Sequence, residues 1–219
     1  MLVLMKTTIK SWPKWMEKAL QGVAYWIGHR RCLYRNYPLS EGALVAEVCN
    51  LIHANLSDNL LLLCEVQYSR FVGHDERPTE LTERARADLV VAEEALQAGA
   101  EPIPKFIIEI KRAAAPTAQI NADLRRLAAV RVVCPDIRTF LFVISEAQRP
   151  TRFVDEDGKS FLGKHEIPGS KGHYRIRRTW KAAHAFTKPD RAHYACLVEV
   201  YPTAALTNRR GTRKKWRAP

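Results

Sequence analysis

Apolar residues recur at helical spacing over residues 12–28, with Trp15, Met16, Ala19, Leu20 and Val23 on one side and Trp12-Pro13 near the start. Ser40 stands where it can cap a second helix, residues 41–55, whose stripe is Leu44, Val48, Leu51 and Ile52. Residues 55–59 read as a turn, and the period then changes. Residues 60–70 alternate as a strand, with Cys64, Val66 and Tyr68 on one face and Glu65, Gln67 and Ser69 on the other. A polar connection over 71–83 precedes a strand at 84–92 with the core run Leu89-Val90-Val91. Residues 93–104 connect to a strongly apolar strand, 105–112.

Pro116 is suited to the first turn of a helix running to residue 133, with Ile120, Leu124, Leu127 and Ala128 inward. Residues 139–145 form another buried strand, and 149–172 are rich in Gly and Pro. Short strands follow at 174–180 and 194–201. The order α-α-β-β-β-α-β-β-β predicts an α/β fold, a mixed central β-sheet flanked by helices, as one domain over residues 1–219.

Composition narrows the class. The chain has 219 residues and 25.0 kDa, enough for one sizeable core. Its 47% hydrophobic and 26% charged content excludes disordered, collagenous and coiled-coil chains. The apolar runs at 60–63 and 1–5 fall far short of the ~20 residues of a membrane span, and no signal peptide is read. The expectation is a soluble cytoplasmic protein with no membrane partner. Cys32, Cys49, Cys64, Cys134 and Cys196 show no CxxC spacing, and most lie in apolar company, so they are expected to be buried reduced thiols.

Charge is unevenly placed. Residues 1–163 hold 21 Lys+Arg and 20 Asp+Glu, whereas residues 164–219 hold 14 and 3. Aromatic residues Tyr174, Trp180, Phe186 and Trp216 are interleaved with this basic flank. Such a flank suits a polyphosphate backbone, because cations displace condensed counterions and flat rings stack on bases. The residues singled out for nucleic-acid binding are Lys171, Arg175, Arg177, Arg178 and Lys181, with Arg209, Arg210, Arg213, Lys214, Lys215 and Arg217 in the tail. A basic tail that only solubilises is the competing reading of the last six.

The candidate chemistry lies in the strand at 105–112. A period of two puts Glu109 and Lys111 on one face, opposite Phe106, Ile108 and Ile110. A carboxylate and an ammonium in so apolar a strand need pairing, water or a metal. Asp88, at the head of the preceding strand, can converge with Glu109 to hold Mg²⁺, a hard cation that takes oxygen ligands; pairing with Arg84 and Arg86 is its alternative. Glu47, at the edge of a buried helical stripe, either completes the metal shell or reaches solvent. Gln119, in the first turn of the next helix, either orients a water or phosphate or simply faces solvent.

The pattern Glu47, Asp88, Glu109-Ile110-Lys111 and Gln119 resembles the PD-(D/E)XK superfamily of restriction-endonuclease-like nucleases. The resemblance implies an αβββαβ core over residues 41–147, with a β-rich basic C-terminal extension over 164–219. It implies Asp88, Glu109 and the Ile110 carbonyl as metal ligands, Glu47 as an auxiliary ligand, Lys111 as the catalytic lysine and Gln119 as a positioning group. Ala87 stands where the name-giving proline would be. The implied activity is Mg²⁺-dependent phosphodiester hydrolysis, with Mn²⁺ as substitute, on nucleic acid, with DNA ahead of RNA and endonuclease ahead of exonuclease. Restriction, mobile-element and anti-phage defence settings are all compatible, as are a homodimer or a regulatory partner. The alternatives are a catalytically silent nucleic-acid-binding or scaffold subunit on the same fold, and a histidine nuclease built on His165, His173 or His184.

Overall fold

A computed structural model describes residues 12–34, 37, 39–72, 78–95, 101–182 and 189–202. Two helices come first: α1 (Lys14–Leu33) and α2 (Glu41–His53). Then follow β1 (Leu60–Gln67), a single 3-10 turn (Tyr68–Arg70), β2 (Arg86–Glu93) and β3 (Ile103–Arg112). After α3 (Thr117–Val133) come β4 (Arg138–Ser145), the two-residue β5 (His165–Glu166), β6 (His173–Ala182) and β7 (His193–Tyr201). The strands form one seven-stranded mixed sheet in the order β1-β2-β3-β4-β7-β6-β5. The fold is therefore α/β, and its element order matches the predicted one with β5 added.

Among the described strands only β3 and β4 run parallel. Parallel neighbours need a long crossover, and α3 supplies it. The helix settles on the face of the sheet that carries Ile107, Leu141 and Val143, burying Leu124, Leu127 and Val130 there. α1 and α2 cover the other face, where Met16, Leu20, Val23, Leu44, Val48 and Ile52 meet Leu89, Ile108, Ile110, Phe140 and Leu197. β4 and β7 are buried on both faces, which explains their near-continuous apolar sequence. Each fully buried Leu, Ile or Val side chain contributes ~1.5–3 kcal/mol relative to exposure.

Local signals act largely as expected. The Ser40 side chain accepts a hydrogen bond from the Ala43 N–H at 3.2 Å, capping α2. α1 instead runs five residues past its predicted end at Gly28. A Cβ on Gly28 would lie 3.1 Å from the Ala182 Cβ, so this glycine serves close approach of α1 to β6 and does not stop the helix.

β1 departs more consequentially. Glu65 has φ of 54°, a left-handed conformation rare for a residue with a side chain. It breaks the alternation: Leu60 and Leu62 pack with α1 and α2, whereas Val66 and Tyr68 join the core under α3. Cys64, Val66 and Tyr68 thus do not share the face predicted for them. The thiols also differ from expectation. Only Cys196 is buried; Cys32 and Cys64 are exposed, and Cys49 and Cys134 are intermediate. Cys64 is uncovered because β1 is the outermost strand of the sheet.

Candidate active site

The β1–β2 ladder pairs Cys64 with Leu89 and Val66 with Ala87, skipping Glu65 and Asp88. The β2–β3 ladder starts only at Leu89 with Ile108. At Asp88, then, backbone pairing lapses on both sides of β2. The Asp88 carboxylate fills one of the gaps by accepting the Ile110 N–H at 2.7 Å. That bond turns Asp88 toward the C-terminal half of β3, where Glu109 and Lys111 project toward α3.

Glu109 is 2% exposed. It accepts a hydrogen bond from the hydroxyl of fully buried Tyr68 and lies within hydrogen-bonding reach of Asp88. Burial, and then the charge of Asp88, pushes its carboxyl up to about 8. Asp88 is raised as well, chiefly by burial, against the opposing pull of the Ile110 N–H and Lys111. Burial and like charge thus bias the pair toward its protonated forms. Like charges forced together out of water behave this way.

Lys111 is held from two other elements. Its ammonium pairs with Glu41, the first residue of α2, and lies 3.6 Å from Asp123 Oδ2 on α3. Asp123 is 1% exposed, pairs with Arg126 one turn on, and its Oδ2 has no hydrogen-bond donor among the described residues. Glu65 adds to the charge that raises Asp88. Five acids (Glu41, Glu65, Asp88, Glu109, Asp123) thus gather around Lys111 and Arg126, an excess of negative charge that favours a cation.

No family model, curated protein or solved structure matches this chain. The site is therefore read from its own geometry.

The structure brings Asp88, Glu109 and Lys111 together. Gln119 is exposed in the first turn of α3, one helical turn before Asp123. Glu47 goes elsewhere. It lines a groove of about 830 Å³ between α1 and α2 with Lys18, Gln21, Trp26 and His29. α2 packs on the opposite face of the sheet from α3, so a mid-helix residue does not reach Glu109; only Glu41, at the end of the helix, reaches over to Lys111. Among the described residues, no group of three or more His, Cys, Asp or Glu is arranged to hold a metal ion. The Asp88–Glu109 pair offers carboxylate oxygens from two residues.

Sequence reasoning passed over Glu41, Glu65, Tyr68 and Asp123. Asp123 had a signal: it lies three residues after Ile120 and four before Leu127, an acid on the buried stripe of α3. Glu41 had a weaker one, as the first residue after a helix cap. Nothing local marks Glu65 or Tyr68.

The basic flank is partly consumed by the fold. Arg177 donates to Glu199 at 2.7 Å and to the Tyr201 hydroxyl. Arg178 pairs with Glu17 of α1 at 2.6 Å and lies over Trp180. A register shift between Ile176 and Arg178 sends these adjacent arginines to different partners. Lys181 is half-buried near the end of β6, whereas Lys171 and Arg175 are exposed. Arg209, Arg210, Arg213, Lys214, Lys215 and Arg217 lie outside the described residues. His165 stacks on Tyr174 and His173 on Tyr201, and His184 lies outside the described residues. His165 and His173 are thus engaged by tyrosine rings.

Proposed function

We propose that this chain is a metal-dependent nuclease of the PD-(D/E)XK type, with α2-β1-β2-β3-α3-β4 as its αβββαβ core. The observation that carries the reading is the meeting of Asp88 and Glu109 where β2 and β3 part, with Lys111 beside them. Two neighbouring buried carboxyls with, among the described residues, no arginine beside them to balance both charges are a fit for a divalent cation, because the ion supplies the missing positive charge and removes the repulsion. Asp88, Glu109 and the Ile110 carbonyl would hold Mg²⁺ or Mn²⁺, hard oxygen donors for a hard cation. When bound, the metal supplies Lewis-acid polarisation of the phosphodiester and a lowered pKa for water.

The chain's own groups do the rest. Tyr68 and the Ile110 N–H each donate to one carboxyl, fixing its orientation. Lys111 is aimed by its ion pairs with Asp123 and Glu41. The Glu41 carboxylate is the more exposed partner, so an incoming phosphodiester displaces it and takes the ammonium, which offsets charge developing on the phosphorus oxygens. Gln119 and the start of α3 would offer amide donors to a phosphate. The substrate is nucleic acid, DNA ahead of RNA, cut internally; exposed Lys171 and Arg175 and the basic tail would grip its backbone, in a defence or mobile-element setting.

The test uses supercoiled and linear DNA with purified protein in Mg²⁺. Asp88→Asn and Lys111→Ala are expected to lower cleavage by about 10³-fold while circular dichroism stays unchanged. Undiminished cutting by either folded variant removes the assignment. DNA binding by the unaltered chain with no cleavage in Mg²⁺ or Mn²⁺ would replace it with the silent binding subunit.

A further inference from the structure

Cys49, in the second half of α2, and Cys64, on the outermost strand β1, bring their sulfurs to 3.4 Å. Both are free thiols, Cys64 exposed and Cys49 partly so. The fold builds this contact. Leu60 and Leu62 seat β1 against the helices, and the left-handed residue Glu65 ends the alternation directly after Cys64. Cys64 is thus the last β1 side chain on the α2 side. Disulfide sulfurs lie ~2.05 Å apart, so closure needs about 1.4 Å of movement, within the range of side-chain rotation.

We propose that Cys49 and Cys64 form a reversible dithiol–disulfide pair, a modification site whose oxidant is a small disulfide of the glutathione class and whose product ties α2 to β1. The Cys64 thiolate attacks one sulfur of oxidised glutathione, forming a mixed disulfide and releasing one glutathione thiolate. The Cys49 thiolate then attacks Cys64 Sγ; the protein disulfide forms and the second glutathione thiolate leaves. The two protons lost by the cysteines end on the two glutathiones, so two protein thiols are oxidised and one glutathione disulfide is reduced. Burial, and then the adjacent Cys49, pushes the Cys64 thiol up to about 11. Because the thiolate is the nucleophile, the first step is slow at neutral pH and gains about tenfold per pH unit below that value.

The pair borders the acid cluster, since Glu65 follows Cys64 and α2 begins with Glu41. It does not depend on the nuclease reading, and its test reads sulfur chemistry alone. The whole folded protein is equilibrated at mildly alkaline pH with oxidised or reduced glutathione, acid-quenched, alkylated and digested. Trypsin leaves both cysteines in one peptide, residues 36–70, whereas cleavage before Asp58 by Asp-N protease separates them. The expected result is loss of both thiols to alkylation and a Cys49–Cys64 cross-linked peptide pair, reversed by dithiothreitol, with unchanged circular dichroism. Cys49→Ser is expected to carry glutathione on Cys64 and no cross-link. Full alkylation of Cys49 and Cys64 after oxidised glutathione would overturn the proposal, as would a cross-link from either to Cys32, Cys134 or Cys196.

Discussion

Two glutamates show how differently one fold can bury the same side chain. Glu109 on β3 is 2% exposed and Glu199 on β7 is 1% exposed. Glu199 is met by Arg131, Arg138 and Arg177. Burial alone would raise its carboxyl, but the Tyr201 hydrogen bond and these arginines outweigh that and leave it lowered. Glu109 has Asp88 as its neighbour, a tyrosine hydroxyl as its donor, and no arginine ion pair among the described residues, and it is pushed up to about 8. The first environment completes a charge; the second withholds completion. A buried acid left needing a cation is a candidate for chemistry, whereas one surrounded by arginines is a candidate for holding strands together.

The sharpest way to break this contrast is to delete each carboxyl. Glu199→Ala removes the carboxylate shared by three partly buried arginines and is expected to cost about 3–5 kcal/mol in urea unfolding. A cost under about 1 kcal/mol, typical of a surface substitution, would show that the arginines are satisfied without it.

Glu109 is expected to show itself through pH. Its folded value, about 8, lies above its ordinary 4.5, so the folded state retains a proton that the unfolded state releases. Its stabilising contribution is complete below about pH 4.5 and is lost as pH rises through 8. Asp88 is shifted in the same direction. In chelator, the melting temperature of the unaltered chain should therefore fall across that window, and Glu109→Gln should flatten the fall. Glu199 carries the opposite sign: its contribution is present above its ordinary value and is lost as pH falls through its lowered folded value, so Glu199→Gln should alter only the acid limb. Identical pH profiles for the two glutamine variants would dissolve the comparison.

The smallest effect concerns the arginine beside Arg177. Arg178 is half-exposed and its Glu17 partner is a third exposed. Arg178→Ala should cost about 0–1 kcal/mol, and its effect should shrink in high salt.

Much of the fold was legible because periodicity reports which side of an element is buried. The stripes of α2 and α3, the Ser40 cap and the apolar strands β3 and β4 lie close to their predicted places. Gly28 misled because a glycine demanded by close packing and one that ends a helix look alike in sequence. In the site, Asp88, Glu109 and Lys111 were legible because an acid or an amine inside an apolar strand needs a partner. Glu47 was misplaced because helical spacing does not tell which face of the sheet the helix covers. Glu41 and Tyr68 come from distant segments whose meeting is set by register and crossover, and Glu65 owes its place to a backbone conformation that no neighbouring residue announces.

That same residue has an effect on how molecules of this protein meet one another. Among the described residues β1 pairs with β2 alone, which leaves its far side an edge along a stretch that begins Leu-Leu-Leu-Leu. Such a border invites a strand from another molecule to add on and start an aggregate. The left-handed kink at Glu65 cuts the straight run after only five residues, Leu60 through Cys64, and sets a carboxylate at its end, so an added strand would lose its register before it could zip along the whole border.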